Sequence, residues 1–272
     1  EQKIDAVIIC SPSPYHLSQA KKLVYSGIHV LVEKPLSNKL KDIESLLKID
    51  QNKDIINLLG YCLRYDPLAI KLKKIIESNK YGEIKYVEVV CESFLPNWRP
   101  DQNYKESVSA RKELGGGVLL ELSHELDYVC WIFDSMFSVS AILENNRKLK
   151  IDVEESASLI LTSKRGCEIN VYLDFASNSL KRFCKVIFEN GCLIWDILEK
   201  EISWISLDNN KRIEHKHGLE RNYVYIQQLE HFFNCIEKNH SPKINFKDGI
   251  NVLKLIEAAI KSNSKGEKVI LK

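Results

Sequence analysis

The chain has 272 residues, 44% hydrophobic and 28% charged, with a formal net charge of +2. So small a charge supplies no basic field for nucleic acid or an anionic membrane surface, and no apolar run reaches the ~20 residues of a helical membrane span. Eight cysteines occur without a C-x-x-C pair, which argues against a zinc ribbon or a thioredoxin-type centre and for reduced thiols in a cytoplasmic protein.

Residues 4–10, Ile-Asp-Ala-Val-Ile-Ile-Cys, read as a buried strand. Ser11-Pro12-Ser13-Pro14 then forces a loop. Over residues 15–26, Leu17, Ala20, Leu23 and Val24 recur at helical spacing, and Gly27 suits the position just past a helix end. A second apolar strand, 28–32, completes a βαβ unit with a parallel pair. It stops at Glu33-Lys34-Pro35, because proline cannot donate to a ladder. Charged residues at the carboxyl end of a buried parallel strand lie where open α/β sheets bind ligands. Read alone, they are more simply solvated charges at a strand end. A helix over 39–52 follows, with Ser37 as its N-cap. A short strand at 55–60 and a helix at 68–79, ending near Gly82, close this part.

The pattern then changes. Residues 84–95 read as a long strand, and 96–114 as a polar loop whose length marks it as functional. Gly115-Gly116-Gly117 leads into a helix over 118–133. Strand-like runs follow near 138–144, 154–163, 167–176, 182–190 and 192–207, joined by short links that imply an antiparallel sheet. Helices at 222–238 and 247–262 and a last strand at 268–271 end the chain. The fold class is therefore α/β plus α+β: an incomplete Rossmann-type parallel sheet, then a largely antiparallel open sheet with helices. The division falls at residue 82.

Within helix 118–133, Leu119, Leu122, Leu126, Val129 and Phe133 form an apolar stripe. Glu121, His124 and Tyr128 share another face. Asp127 lies one turn beyond His124, placed to hold its imidazole or raise its pKa. Such a pair is a reasonable general base; an ordinary polar helix face is the competing account. Glu121 and His124 have no second ligand cluster, so no metal is expected. The three glycines match no phosphate-loop pattern and read instead as a close backbone approach. In the long loop, Trp98, Arg99 and Tyr104 could stack on and hydrogen-bond a sugar-like ligand; equally, Trp98 could anchor the loop in the core.

Four blocks resemble the Gfo/Idh/MocA family of NAD(P)-dependent sugar and polyol dehydrogenases. They are Asp5-Ala6-Val7-Ile8-Ile9-Cys10-Ser11-Pro12 with His16; Val30-Leu31-Val32-Glu33-Lys34-Pro35; Arg64 with Pro67; and Gly115-Gly116-Gly117 followed by His124 and Asp127. The resemblance implies that 1–82 is part of a dinucleotide-binding domain and 83–272 a substrate-binding and oligomerisation domain. It implies that Lys34 bonds the reacting hydroxyl, that its link to Pro35 is cis, and that His124, with Asp127, takes the proton. Ser11, Pro12, His16, Glu33, Lys34, Pro35 and Arg64 would border NAD or NADP. Lys34, Trp98, Arg99, Tyr104, Glu121 and His124 would face a sugar or polyol. Assembly would be a homo-oligomer through the antiparallel sheet.

Two departures stand out. The family's acidic residue one turn before the His is replaced: Leu120 lies four back and Glu121 three back. The chain also opens inside a strand, so the Gly-rich turn and helix that hold the pyrophosphate are expected to precede it, together with about two pieces of ~30 residues each. The alternative reading is a truncated, non-catalytic remnant acting as a binding or interaction domain.

Overall fold

A computed structural model describes residues 4–41, 55–146 and 148–271. Its first sheet has three parallel strands in spatial order: β1 (Ala6–Ile9), β2 (His29–Val32) and β3 (Asn57–Leu59). Helix α1 (Ser13–Tyr25) makes the crossover from β1 to β2. Val30, Leu31, Val32, Leu58 and Leu59 are all buried, as strands covered on both faces require. The helix expected at 39–52 falls mostly outside the described residues. Helix α2 (Pro67–Glu77) begins where the sequence dictates: Asp66 accepts hydrogen bonds from Leu68 N and Ala69 N, and Pro67 occupies the first turn.

The second sheet has nine strands: β4 (Tyr86–Phe94), β5 (Met136–Glu144), β6 (Ser156–Ser163), β7 (Glu168–Asp174), β8 (Ala176–Phe188), β9 (Gly191–Asp196), β10 (Glu201–Ser206), β11 (Lys211–Lys216) and β12 (Val269–Ile270). Their order is β11-β10-β9-β8-β4-β7-β6-β5-β12. Every pairing is antiparallel except β4 with β7. That pair is parallel because the chain between them contains the long loop, the glycines, a helical segment and two strands, which is ample for a crossover. The expected strand at 192–207 is two strands, β9 and β10, turning at Lys200 with φ 55°. Strand β11, Lys-Arg-Ile-Glu-His-Lys, is additional. It lies at the sheet edge and carries no apolar alternation by which it could be read.

The helix expected at 118–133 is also two: α3 (Val118–Glu121) and α4 (Ser123–Ile132), broken at Leu122, whose φ and ψ are −93° and 26°. The apolar stripe Leu119, Leu122, Leu126, Val129 and Phe133 is buried as expected. Tyr128 is not on a polar face. It is buried, edge-on to Trp195 of β9 at 5.2 Å between ring centroids, and this contact seats α4 on the sheet.

The end of the chain returns to its beginning. In helix α5 (Tyr223–Lys238), Phe232 and Cys235 pack with Leu31, Ile56 and Leu58 of the first sheet. Helix α6 (Phe246–Lys265) starts with a capping box between Asn245 and Asp248. A side chain at Gly249 would place Cβ 2.5 Å from Leu59 Cδ2, so glycine is what lets this helix lie against β3. Among the described residues no helix is long and apolar enough to cross a membrane.

Candidate active site

A cleft of about 290 Å³ opens at the carboxyl ends of β1 and β2, lined by Ser11, Pro12, Glu33, Lys34, Pro35 and Arg99, among others. The strand arrangement explains its place. Each parallel strand ends at this rim and its chain must turn there, leaving polar groups around a gap. The Lys34–Pro35 peptide bond is cis. His16, almost wholly buried, sets Nδ1 2.8 Å from the Pro35 carbonyl oxygen and Nε2 2.5 Å from that of Ser11. It joins the two strand ends, so its polar atoms are spent on the backbone.

Lys34 is the centre of the cleft. Its Nζ donates to the Glu121 carbonyl oxygen at 2.7 Å and to Glu121 Oε1 at 3.0 Å. Ser109 donates to the other carboxylate oxygen at 3.0 Å. Burial alone would raise the Glu121 pKa, but the Lys34 charge, the bonds from Lys34 and Ser109, and Arg99 outweigh it and hold it below the ordinary value. Glu121 can reach Lys34 because α3 ends at that residue. The break at Leu122 takes the place of the continuous helix turn assumed from sequence. Glu33, by contrast, packs against Gly60, and burial raises its carboxyl pKa against the pull of Lys34.

His124 begins α4. It lies edge-on to Tyr61, with ring centroids 5.6 Å apart. Its Nδ1 is buried and has no hydrogen-bond partner, whereas Nε2 is not so enclosed. Burial first, then the charges of Lys34 and Arg182, push its pKa well below 6.5. The imidazole is therefore neutral at neutral pH.

The expected His124–Asp127 contact is not formed. Asp127 instead accepts from Arg64 twice, Nε at 2.9 Å and Nη2 at 2.7 Å. Arg64 Nη1 donates to Asp248 at 3.1 Å, and its guanidinium lies 5.6 Å from the Trp131 ring centroid. Arg64 is thus buried in an ion-pair network away from the Lys34 cleft. The physical reason is tertiary: a carboxylate buried at Asp127 needs a cation, and Arg64 supplies a planar two-pronged one. Two loop residues are also placed otherwise than expected for ligand contact. Trp98 Nε1 donates to Ser93 at 2.9 Å and its ring meets Phe175 edge-on at 5.2 Å. Tyr104 donates to the Leu149 carbonyl at 2.9 Å. Both anchor the loop. Arg99 alone of that trio lines the cleft.

The structure therefore brings together Ser11, Pro12, His16, Glu33, Lys34, Pro35, Arg99 and Glu121, with His124 within the electrostatic reach of Lys34. Ser109, Glu125 and Arg182 enter the neighbourhood unannounced by any motif. Ser109 arrives through the folding of the long loop, and Arg182 through strand β8. Among the described residues no group of three or more His, Cys, Asp or Glu side chains is arranged to hold a metal ion.

The glycines prove to be a packing device. A Cβ at Gly116 would lie 2.5 Å from the Val108 carbonyl oxygen, so the loop bearing Ser109 rests directly on this backbone. Gly116→Ala is expected to destabilise the protein by about 1–3 kcal/mol, as overpacking does. Denaturant unfolding checks this, and an unchanged midpoint would show that the loop can move aside.

Residues 1–61 match a model of the oxidoreductase family described as its NAD-binding Rossmann fold, and residues 73–271 match that family's C-terminal alpha/beta domain. An uncharacterised oxidoreductase of Synechocystis is 27% identical over 206 residues, covering 71% of this chain and 54% of that protein. Myo-inositol 2-dehydrogenase of Thermotoga maritima is 22% identical over 276 residues, 96% of this chain and 78% of that protein. The chain spans about half the length of several curated relatives it matches, 54%, 50% and 46% in three cases. Among solved structures, a levoglucosan dehydrogenase in complex with NADH and levoglucosan superposes with a TM-score of 0.87 at 19% identity, covering 99% of this chain and 80% of that one. That likeness establishes the fold.

Proposed function

The chain belongs to the Gfo/Idh/MocA oxidoreductase family, and on that premise we propose that it serves the transfer of a hydride between a sugar or polyol CH–OH and a nicotinamide cofactor. The observation that carries this reading is Lys34. An ammonium at the carboxyl end of a buried parallel strand is held by a carboxylate that itself stays ionised, and its charge is felt by a neutral imidazole.

The cleft fits a nicotinamide nucleotide at its open rim. Ser11, Pro12, Glu33 and Pro35 line it, and Ser13 Oγ is buried beside it without a hydrogen-bond partner. We assign these residues to holding the group, with NAD as the form favoured by the family model. A bound oxidised nicotinamide supplies the hydride acceptor. The protein's own residues do the rest. Lys34 Nζ donates to the substrate oxygen and lowers the cost of negative charge there. Glu121 keeps that ammonium aimed, and Ser109 keeps Glu121 in place. His124 Nε2 accepts the hydroxyl proton as the C–H bond breaks, leaving a carbonyl product and an imidazolium. In the reverse direction the imidazolium returns the proton.

Relatives named for inositol and levoglucosan chemistry support a sugar or polyol substrate. Ile142 and Ile160 are exposed on adjacent strands β5 and β6, which supports self-association through this sheet. Eight free thiols fit the reducing cytoplasm.

The test is the intact protein with NAD and a panel of hexoses and inositols, followed by nicotinamide absorbance. No reduction with any of them sinks the reading. The pH profile adds a second check. Because the His124 pKa is lowered, the base form persists below pH 6.5, and activity falls as pH drops through the lowered value. The acid limb of kcat/KM is therefore expected below pH 6.5. A limb above it would remove His124 as the base, as would a His124→Gln variant losing less than about tenfold in kcat, since positioned bases typically contribute 10²–10⁴-fold.

A further inference from the structure

We propose that a second cavity, walled by Trp131 and floored by Arg64, binds a small carboxylate with an apolar body. This site stands independently of the oxidoreductase reading, because it shares no lining residue with the Lys34 cleft. It measures about 140 Å³ and lies between α4, α6 and the chain just after β6. A cavity of about this volume holds a benzene-sized ring. Trp131, Met136, Leu255 and Leu271 form its apolar side. Two cations fix Trp131 there: Arg64 Cζ lies 5.6 Å and Lys73 Nζ 5.5 Å from its ring centroid. Lys73 also donates to the Trp131 carbonyl oxygen at 3.0 Å. The wall is thus formed before any ligand arrives.

A count of donors sets the polar side. A guanidinium carries five N–H groups. Arg64 spends three of them: Nε and one N–H of Nη2 on Asp127, and one N–H of Nη1 on Asp248. Each terminal nitrogen keeps one N–H that no acceptor takes among the described residues, although the side chain is only 7% exposed. Buried donors of this kind are costly until an acceptor meets them. The ammoniums of Lys164 and Lys254 line the same cavity and also have no partner among the described residues. Lys164 is held there by its backbone N–H, which donates to the Ser135 carbonyl oxygen at 2.9 Å. Among the described residues Asp248 is the one acidic side chain in the lining, and it is already paired with Arg64. With the buried Asp127 included, two carboxylates stand against Arg64, Lys164 and Lys254, a surplus of one positive charge. The flanking pairs Lys73–Glu77 and Arg165–Asp134 add nothing to that balance. One anionic group neutralises the cavity. A carboxylate on a small hydrophobic body fits it better than a bare inorganic ion, because it accepts from Arg64 while its body covers Trp131 and Leu255.

Calorimetric titration of the intact protein with benzoate tests this, with benzyl alcohol as the neutral probe and inorganic phosphate as the anion without an apolar body. Benzoate is expected to bind with a Kd of about 1 mM and roughly tenfold tighter than either control. Lys164→Gln combined with Lys254→Gln should weaken benzoate about tenfold and leave benzyl alcohol unchanged. Both lysines are exposed, so this variant is expected to fold, whereas a change at Arg64 would strand Asp127. Lys34→Ala should leave benzoate binding as it is, since Lys34 lines the other cleft; a clear loss would place benzoate there and overturn the proposal. No binding by about 10 mM benzoate overturns it in the unmodified protein, with no variant needed. Benzyl alcohol binding as tightly as benzoate, or benzoate binding unchanged in the lysine variant, removes the role of charge and overturns it too. Phosphate binding as tightly as benzoate overturns the carboxylate assignment.

Discussion

Lys34→Ala is expected to lower kcat by about 10²–10³-fold, the loss seen when one donor to a developing oxyanion is removed, while the affinity for NAD changes little. The argument starts from what Lys34 touches. Among the described residues its ammonium is held only by Glu121, through the carboxylate and the backbone carbonyl. Neither contact ties β2 to the rest of the first sheet, whose ladder and buried Val30, Leu31 and Val32 remain in the variant. The rim that would hold the cofactor, Ser11 to Ser13 and Pro35, also remains. What is lost is the donor to the substrate oxygen and the partner of Glu121. With the ammonium gone, burial dominates the Glu121 carboxyl and its pKa rises. Steady-state rates with fluorescence titration of the cofactor separate the two effects. A kcat within tenfold of the parent would remove Lys34 from the chemistry. A large loss of NAD affinity would make it a cofactor residue instead.

Glu33-Lys34-Pro35 was legible in the sequence because three local signals coincide there: a β-branched apolar run, its abrupt end and a proline. The division into a parallel and a largely antiparallel sheet and the long loop follow from the same kind of local patterning, whereas the parallel β4–β7 pair and the edge strand β11 do not. The neighbours of Lys34 were only half legible. Helical spacing placed Glu121 and His124 on one face and Asp127 within reach of His124, which assumes one unbroken helix. The turn at Leu122 separates Glu121 from that helix and frees its carboxylate for Lys34, 87 residues away. Asp127 then answers to Arg64, 63 residues away. Partners at such distances are chosen by packing, and no periodicity records them. The same limit hid Arg182, an unremarkable residue in a strand-like run until Glu125 is seen beside it. Tyr104 reads as a ligand contact, and Trp98 as either a ligand contact or a loop anchor, because a polar loop with aromatics suits a sugar. The fold spends them on holding the loop that delivers Arg99 and Ser109.

Removing one side of the Arg64–Asp127 pair is expected to cost about 3–5 kcal/mol, because it leaves a buried charge uncompensated. Arg64→Met does so by stranding Asp127, which is 1% exposed, and Asp127→Leu does so by stranding Arg64. Asp248 relieves the second variant only partly, since it meets a single nitrogen of Arg64 and also caps α6. The double variant, Arg64→Met with Asp127→Leu, removes both charges and should cost clearly less than the two single losses summed, because apolar residues of similar size can replace a buried ion pair at little net cost. Denaturant titration of the four proteins measures the coupling. Additive losses, or a single loss under about 1 kcal/mol, would show that the pair is not what holds this corner. Function follows from the same geometry. Besides its buried apolar stripe, α4 is fastened through Asp127, Tyr128 and Glu125, to Arg64, Trp195 and Arg182 respectively. His124 sits at the free start of that helix. The double variant restores stability without restoring the bidentate clamp, so its activity should stay below that of the parent even where its unfolding midpoint recovers.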